Sequence, residues 1–295
     1  MSNFDLQIVD RIVTHGGGAH RDEFMAICLA EAFLWKSVPV ERRDPTPEEL
    51  DDPKVLVLDV GGQHDPAKAN FDHHQLPRDA APDCAMSLFL KAWGDYEVYR
   101  DILLWVEPTV LLDSKGPSVL CKELGIAKES FDRMWSPIEA SLLKLFEAGA
   151  VPVELMRLIG ADIDKYVSKI RAELKQLLDG AGRAVAVSHG GVQVTGMFID
   201  GLFEPKSMAL FRKHLEERDK AVMAFSVSFD DRGAGYSLYR FDDHPQVDFS
   251  QLEGHSAVTF AHKAGFIAKT RSRDCDPVSL VAGAIVIASP EPVQT

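Results

Sequence analysis

The chain has 295 residues, 46% of them hydrophobic, which is enough apolar material for two domains rather than one. No stretch approaches the roughly 18 uninterrupted apolar residues of a membrane span, and the start MSNFDLQIVD lacks the basic, then apolar, pattern of a signal peptide, so no membrane partner and a cytoplasmic location are expected. The formal net charge of −13 opposes tight, non-specific binding to long nucleic acids, whose affinity comes from basic surface releasing counterions, and leaves small or single-stranded anions open.

Residues 7–14, with Ile8, Val9, Ile12 and Val13, read as a first strand that ends at the loop His15-Gly16-Gly17-Gly18-Ala19-His20. Asp22 and Glu23 then open the apolar run from Phe24 to Trp35, long enough for a helix buried nearly all round, and acids suit its first turn. Residues 38–53 carry Pro39, Pro45, Pro47 and Pro53 and read as a short edge segment and an exposed loop with no site signal. The continuous apolar run Val55-Leu56-Val57-Leu58 reads as a strand buried on both faces, which puts Asp59 at its carboxyl end, where open α/β sheets bind ligands.

Residues 84–93 suggest a helix, and residues 96–112 a second one interrupted at Pro108, with Asp113 at its end. From 126 to 178 the chain looks helical, with Trp135, Ile138, Leu142, Leu145 and Phe146 at near-helical spacing, and the turn Gly180-Ala181-Gly182 marks the expected domain boundary. Beyond it strands are expected at 184–187, 192–198, 221–229 and 236–241, a helix at 208–217, and a loose tail at SPEPVQT. The segment Val187-Ser188-His189-Gly190-Gly191 echoes residues 13–17, but a strand, Gly-Gly turn and strand explain it. Cys28, Cys84, Cys121 and Cys275 form no CxxC pair and are assigned no chemistry.

His15, His20, Asp22, Asp59, Asp72, His73, His74 and Asp113 all fall in loops or at element ends of the N-terminal half. Imidazole together with carboxylate suits first-row divalent metals, and like charges gathered at one sheet rim would otherwise repel. With Asp22, Asp59 and Asp113 as ligands, three negative charges face two divalent cations, leaving about one positive charge for a phosphoryl oxygen. Such a pair of ions, roughly 3.5 to 4 Å apart, would activate water for a hydrolysis. Adjacent His73 and His74 point to opposite sides of an extended segment, so one can ligate while the other donates a proton to the leaving oxygen. His74, with Asp72 beside it, is the expected catalytic pair.

The DHH triplet at Asp72-His73-His74 resembles the name-giving motif of the DHH phosphoesterase superfamily, which includes RecJ-type nucleases, family II pyrophosphatases and phosphodiesterases of nano-RNA and cyclic dinucleotides. THGGGAHRDE at 14–23, DVGG at 59–62 and FDHHQ at 71–75 are most similar to the melanocyte-proliferating-gene protein family, and AHKAGFIAKT at 261–270 resembles that family's Val-His-Ala-Ser-Gly-Phe-Ile. Ala19, where the family has Phe, and Asp113-Ser114-Lys115-Gly116, where it has Asp-Asn-Gly, depart from the pattern and bear on substrate choice. The resemblance implies that His15, His20, Asp22, Asp59, His73 and Asp113 hold two metals, with Asp59 bridging and His74 near the leaving group. It also implies an α/β fold: a parallel-sheet catalytic domain with a helical extension over 1–180 and a smaller α/β substrate-binding domain over 181–295. In that second domain His262 and Gly265, with Arg240, Lys269 and Arg271 behind them, are the expected substrate contacts.

The expected function is therefore a metal-dependent phosphoesterase that shortens short or single-stranded nucleic acid from one end. Manganese is the expected metal, with zinc, iron, cobalt and magnesium as alternatives, and a homodimer is left open. The rivals are a small-molecule phosphatase, a pyrophosphatase or cyclic-dinucleotide phosphodiesterase, and a non-catalytic metal-binding assembly protein that keeps the fold.

Overall fold

A computed structural model of the chain describes residues 4–134 and 136–287, so Trp135 and the expected tail 289–295 lie outside the described residues. Packing divides the chain into two compact units, Met1–Ser168 and Lys169–Thr295.

The first unit holds a five-stranded sheet. Its first strand, β1, covers Arg11–Thr14 and is shorter than residues 7–14, because Asp5 accepts the Gln7 N–H and folds Leu6–Ile8 into a 3₁₀ turn. Helix α1 (Arg21–Phe33) follows, then β2 (Val40–Arg42) and α2 (Pro47–Asp51), which Thr46 and Glu49 cap reciprocally at 3.3 and 2.9 Å. The exposed loop expected within residues 38–53 therefore contains a helical turn. Next come β3 (Val55–Leu58), β4 (His64–Asp65) and β5 (Asn70–Phe71), in the sheet order β2-β1-β3-β5-β4, parallel except for β4.

Register decides where chemistry can gather. Thr14 lies opposite both Arg42 and Leu58, and Leu58 lies opposite Phe71. The residues that follow β1, β3 and β5, namely His15, Asp59 and Asp72, therefore emerge at one sheet edge, where parallel sheets place their ligands. All four residues of β3 are buried, as its unbroken apolar sequence requires.

The rest of this unit is helical: α3 (Ala85–Trp93), α4 (Tyr96–Ile102), α5 (Val106–Lys115), α6 (Pro117–Glu123), α7 (Lys128–Arg133), α8 (Pro137–Glu147) and α9 (Val153–Gln176), whose last turns belong to the second unit. The interruption expected at Pro108 falls instead between Ile102 and Val106. Pro108 sits in the first turn of α5, where its missing N–H has no partner to lose. Phe24 of α1 meets Phe146 of α8 edge-on at 5.0 Å, and the Tyr99 hydroxyl donates to Asp164 of α9 at 2.7 Å.

After the end of α9 the second unit runs through a π turn over Leu177–Ala181, β6 (Gly182–His189), β7 (Val192–Ile199), α10 (Pro205–Asp219), β8 (Phe225–Phe229), β9 (Tyr236–Arg240), β10 (Val258–Ala261), β11 (Ile267–Thr270) and α11 (Pro277–Gly283). The sheet order is β10-β11-β9-β8-β7-β6, with only β7 and β8 parallel. His189 pairs with Val192 across Gly190-Gly191, so that segment is a hairpin turn. Phe225, Phe249, Leu252 and Val281 pack in one core cluster, and Phe211, Leu215, Met197 and Met223 pack in another. Among the described residues no helix is long and apolar enough to cross a membrane, and Cys28, Cys84, Cys121 and Cys275 are free thiols.

Candidate metal centre

Each expected ligand of the first unit is delivered by a sheet edge or a helix end. His15 follows β1, His20 is the N-cap of α1 and Asp22 stands in its first turn. Asp59 leaves β3 in the left-handed conformation, φ 59°, which an aspartate tolerates better than most residues. His73 follows β5, and Asp113 comes from the last turns of α5.

These side chains form overlapping donor groups that all contain Asp59. Two have four members, His15, His20, Glu23 and Asp59 and, separately, Asp22, Asp59, His73 and Asp113; a smaller third is Asp59, His73 and His74, and the ligand atoms of each group lie within 4.8 Å of one another. His15 Nε2 lies 3.3 Å from Asp59 Oδ2, and His73 Nε2 lies 3.2 Å from Asp59 Oδ1 and 2.9 Å from Asp113 Oδ2. His20 is more open, with Nδ1 3.9 Å from Asp113 Oδ1.

Buried polar atoms are normally hydrogen-bonded, yet His15 Nε2, Asp22 Oδ1, both oxygens of Asp59, His73 Nε2 and Asp113 Oδ2 have no hydrogen-bond partner among the described residues. They converge on one place, which is the arrangement a cation demands and an ordinary polar cluster avoids. His15 Nδ1 lies 2.8 Å from the Gly16 carbonyl; donation there would leave Nε2, once deprotonated, as the ligand atom toward the centre.

The electrostatics agree. Burial, then repulsion from Asp59, Asp113 and Glu23, pushes the Asp22 carboxyl well above its usual range. Burial pushes Asp59 up as well, but His15 and His73 outweigh it and hold that carboxyl down at about 2. The Asp59 carboxylate, then Glu23, pushes His15 up to about 10; His73 reaches about 10 because Asp113 and Asp59 overcome its burial. Protonated imidazoles supply the positive charge these carboxylates need, a charge that a divalent cation held by the same atoms would replace.

The expected pair at the DHH triplet is also in contact. Asp72 Oδ1 lies 2.7 Å from His74 Nδ1, and its carboxylate accepts the backbone N–H of His74 at 3.0 Å and of Gly62 at 2.6 Å. Gly62 has φ 68°, a conformation that glycine adopts without strain. The His74 side chain is 62% exposed, so its ring faces the open side of the site while Asp72 is buried behind it.

Two residues went unassigned by sequence. Glu23, legible only as a helix acid, is fully buried, accepts the His20 N–H through both oxygens at 2.7 and 2.9 Å, and lies 3.3 Å from His15 Nε2. Arg42, in the stretch that carried no site signal, ends β2 and reaches the same loop, donating to the Gly17 carbonyl at 3.1 Å. Only the parallel pairing of β1 with β2 brings it there.

In the second unit the expected substrate contacts have partners of their own. The Arg240 guanidinium donates to the carbonyls of Val247 and Ala264 at 3.0 and 3.1 Å and to Asp243 at 2.8 Å. Lys269 is ion-paired with Asp230, and Arg271 Nε donates to the Ser256 carbonyl at 2.8 Å. His262 accepts the Ala264 N–H at 3.1 Å and packs its ring 4.2 Å from that of Phe266. Gly265, at φ 71°, closes the β10–β11 turn where an added Cβ would stand 2.0 Å from Asp248 Oδ1.

Histidines and aspartates thus converge on Asp59 at the edge of a parallel sheet, with the FDHHQ segment running from β5 into the site. Residues 11–84 match the family MYG1_exonuc, described as "Uncharacterised protein family (UPF0160)". The segment is similar to MYG1 exonuclease of Rattus norvegicus, 37% identical over 73 residues that cover 24% of this chain and 18% of that protein. MYG1 exonuclease of Homo sapiens is 37% identical over 79 residues, 25% of this chain and 19% of that protein. The match thus spans less than a fifth of either relative. Among solved structures, RecJ from Thermus thermophilus in complex with Mg2+ aligns over 95% of this chain and 49% of its own at 14% identity and a TM-score of 0.29. The DHH domain of a protein described as belonging to a family of ribosomal proteins aligns over 94% of this chain and 86% of its own at 14% identity and a TM-score of 0.30. Likenesses at that level carry no weight for the chemistry of this chain.

Proposed function

We propose that this chain is a metal-dependent phosphoesterase that hydrolyses phosphodiester bonds at two divalent cations, manganese first among them, acting as an exonuclease on short or single-stranded nucleic acid. The observation that carries this reading is the sharing of Asp59 by both four-member donor groups. Divalent cations bound there would lower the pKa of water and polarise a phosphoryl oxygen. The chain's own residues do the rest. His15, His20 and Asp59 would hold one cation, and Asp22, Asp59, His73 and Asp113 would hold the other. Asp72 holds His74 by Nδ1, so Nε2 is the atom free to carry a proton to the leaving oxygen on the open side. The likeness of residues 11–84 to proteins named as exonucleases supports a nucleic-acid substrate.

The test pairs metal content with product analysis. Purified chain is loaded with manganese and offered a short end-labelled oligoribonucleotide and, separately, pyrophosphate and a cyclic dinucleotide. Stepwise shortening together with about two metals per chain is the expected result. Cleavage of the small molecules alone would overturn the exonuclease reading, and no hydrolysis after metal loading would overturn the phosphoesterase.

A further inference from the structure

Arg42 lies outside the donor set yet is built into it. Its side chain is only 10% exposed, with the guanidinium stacked 4.4 Å above the Phe146 ring. Nη2 donates to the carbonyls of Gly17 and Gly18 at 3.1 and 3.4 Å, and Nη1 donates to Glu23 Oε1 at 3.4 Å. Glu23 in turn fixes the His20 N–H and stands beside His15. Three successive glycines give the loop between His15 and His20 wide backbone freedom, and Arg42 donates to two of their carbonyls across the strand pairing.

The second donor group has other supports. Asp22 accepts the Ala85 N–H at 3.2 Å, Asp113 belongs to a helix, and His73 follows β5. The hydrogen bonds of Arg42 run to the glycine loop and Glu23 instead.

We propose that Arg42 is a positioning residue that sets the His15/His20 donor group through the glycine carbonyls and Glu23, leaving the Asp22/His73/Asp113 group unaffected. The inference rests on the two-group reading of the centre. It makes the two cation positions separable by a residue that ligates neither.

Manganese binding to the intact chain, followed by calorimetry and by the electron paramagnetic resonance of free ion, tests this with Arg42→Met and Arg42→Lys. Wild type should show two binding steps. Arg42→Met should weaken one step about tenfold or more, the usual cost of losing a residue that orients ligands, and leave the other within about twofold. Arg42→Lys keeps the charge but not the two-carbonyl reach and should fall between; if Arg42→Met fails to fold, Arg42→Lys alone makes the comparison. Both steps unchanged, or both weakened in parallel with a lower melting temperature in chelator, would overturn the proposal. Fewer than two steps in wild type would instead overturn the two-group reading itself, whatever Arg42 does.

Discussion

Asp72 Oδ1 stands 2.7 Å from His74 Nδ1 while the same carboxylate caps the backbone of His74 and Gly62. One buried acid thus shapes the turn and aims the exposed imidazole. Asp72→Asn keeps the size but removes the charge and one of the two acceptor oxygens, so it should reduce kcat/KM about 10- to 100-fold, as for other residues that orient a functional imidazole. Asp72→Ala should add a stability loss of about 1–3 kcal/mol from N–H groups left unpaired. Kinetics alongside thermal melts separate the two effects; equal kcat/KM for wild type and Asp72→Asn would remove Asp72 from the mechanism.

Asp22 is 1% exposed and faces Asp59 and Asp113, so its charge opposes folding unless a cation answers it. Asp22→Asn should raise the melting temperature in chelator by about 2–8 °C, taking about 1–2 kcal/mol for the relieved repulsion. The same variant should gain less than wild type on adding manganese. A lower melting temperature in chelator would show that Asp22 is stabilised by groups other than a cation.

Metal should stabilise the first unit by mass action. At a free manganese concentration of 100 times Kd the gain should be about 2.7 kcal/mol, and the melting temperature should climb with further metal. Asp59→Asn removes the carboxylate common to the donor groups and should abolish that climb; a full wild-type response in Asp59→Asn would dismiss the shared ligand.

Lys269 and Asp230 make a pH prediction independent of the metal centre. Burial alone would raise the Asp230 carboxyl, but the Lys269 ammonium and the Arg232 N–H hold it below the ordinary range. A carboxyl depressed in the folded state stabilises the fold above its unfolded pKa of about 3.9, and that contribution is lost as pH falls through the lower folded value. Lys269→Met should cost about 1–3 kcal/mol at neutral pH, with most of the difference from wild type gone in strong acid. Urea midpoints measured from pH 2 to 7 check this. No loss at neutral pH would release Lys269 from its structural task and return it to the substrate contacts.

Gly265→Ala should destabilise by more than about 1 kcal/mol, because φ 71° and the approach of Asp248 leave no room for a methyl group. A melting temperature equal to wild type would show that the β10–β11 turn can rearrange.

The sequence by itself determined which imidazoles and carboxylates could gather. His15, Asp59 and His73 were legible as residues beyond strand ends because a buried apolar run such as Val55–Leu58 fixes which residue comes first past the sheet edge, while the resemblance in motif added His20, Asp22 and Asp113. The hairpin at Gly190-Gly191 was legible for a similar local reason. Tertiary structure alone decided what reads as a charge on a loop or helix: Arg42 joins the centre only because β2 pairs beside β1, Glu23 because the start of α1 lays it against His15, whereas Arg240 and Lys269 are engaged with Asp243 and Asp230. The edge strand β10 escaped notice because Thr259 and Phe260 are both exposed, leaving no alternation to read. Local pattern carries which residues are buried or turn; which charges meet depends on strand order and register, and these are set by contacts far apart in the chain.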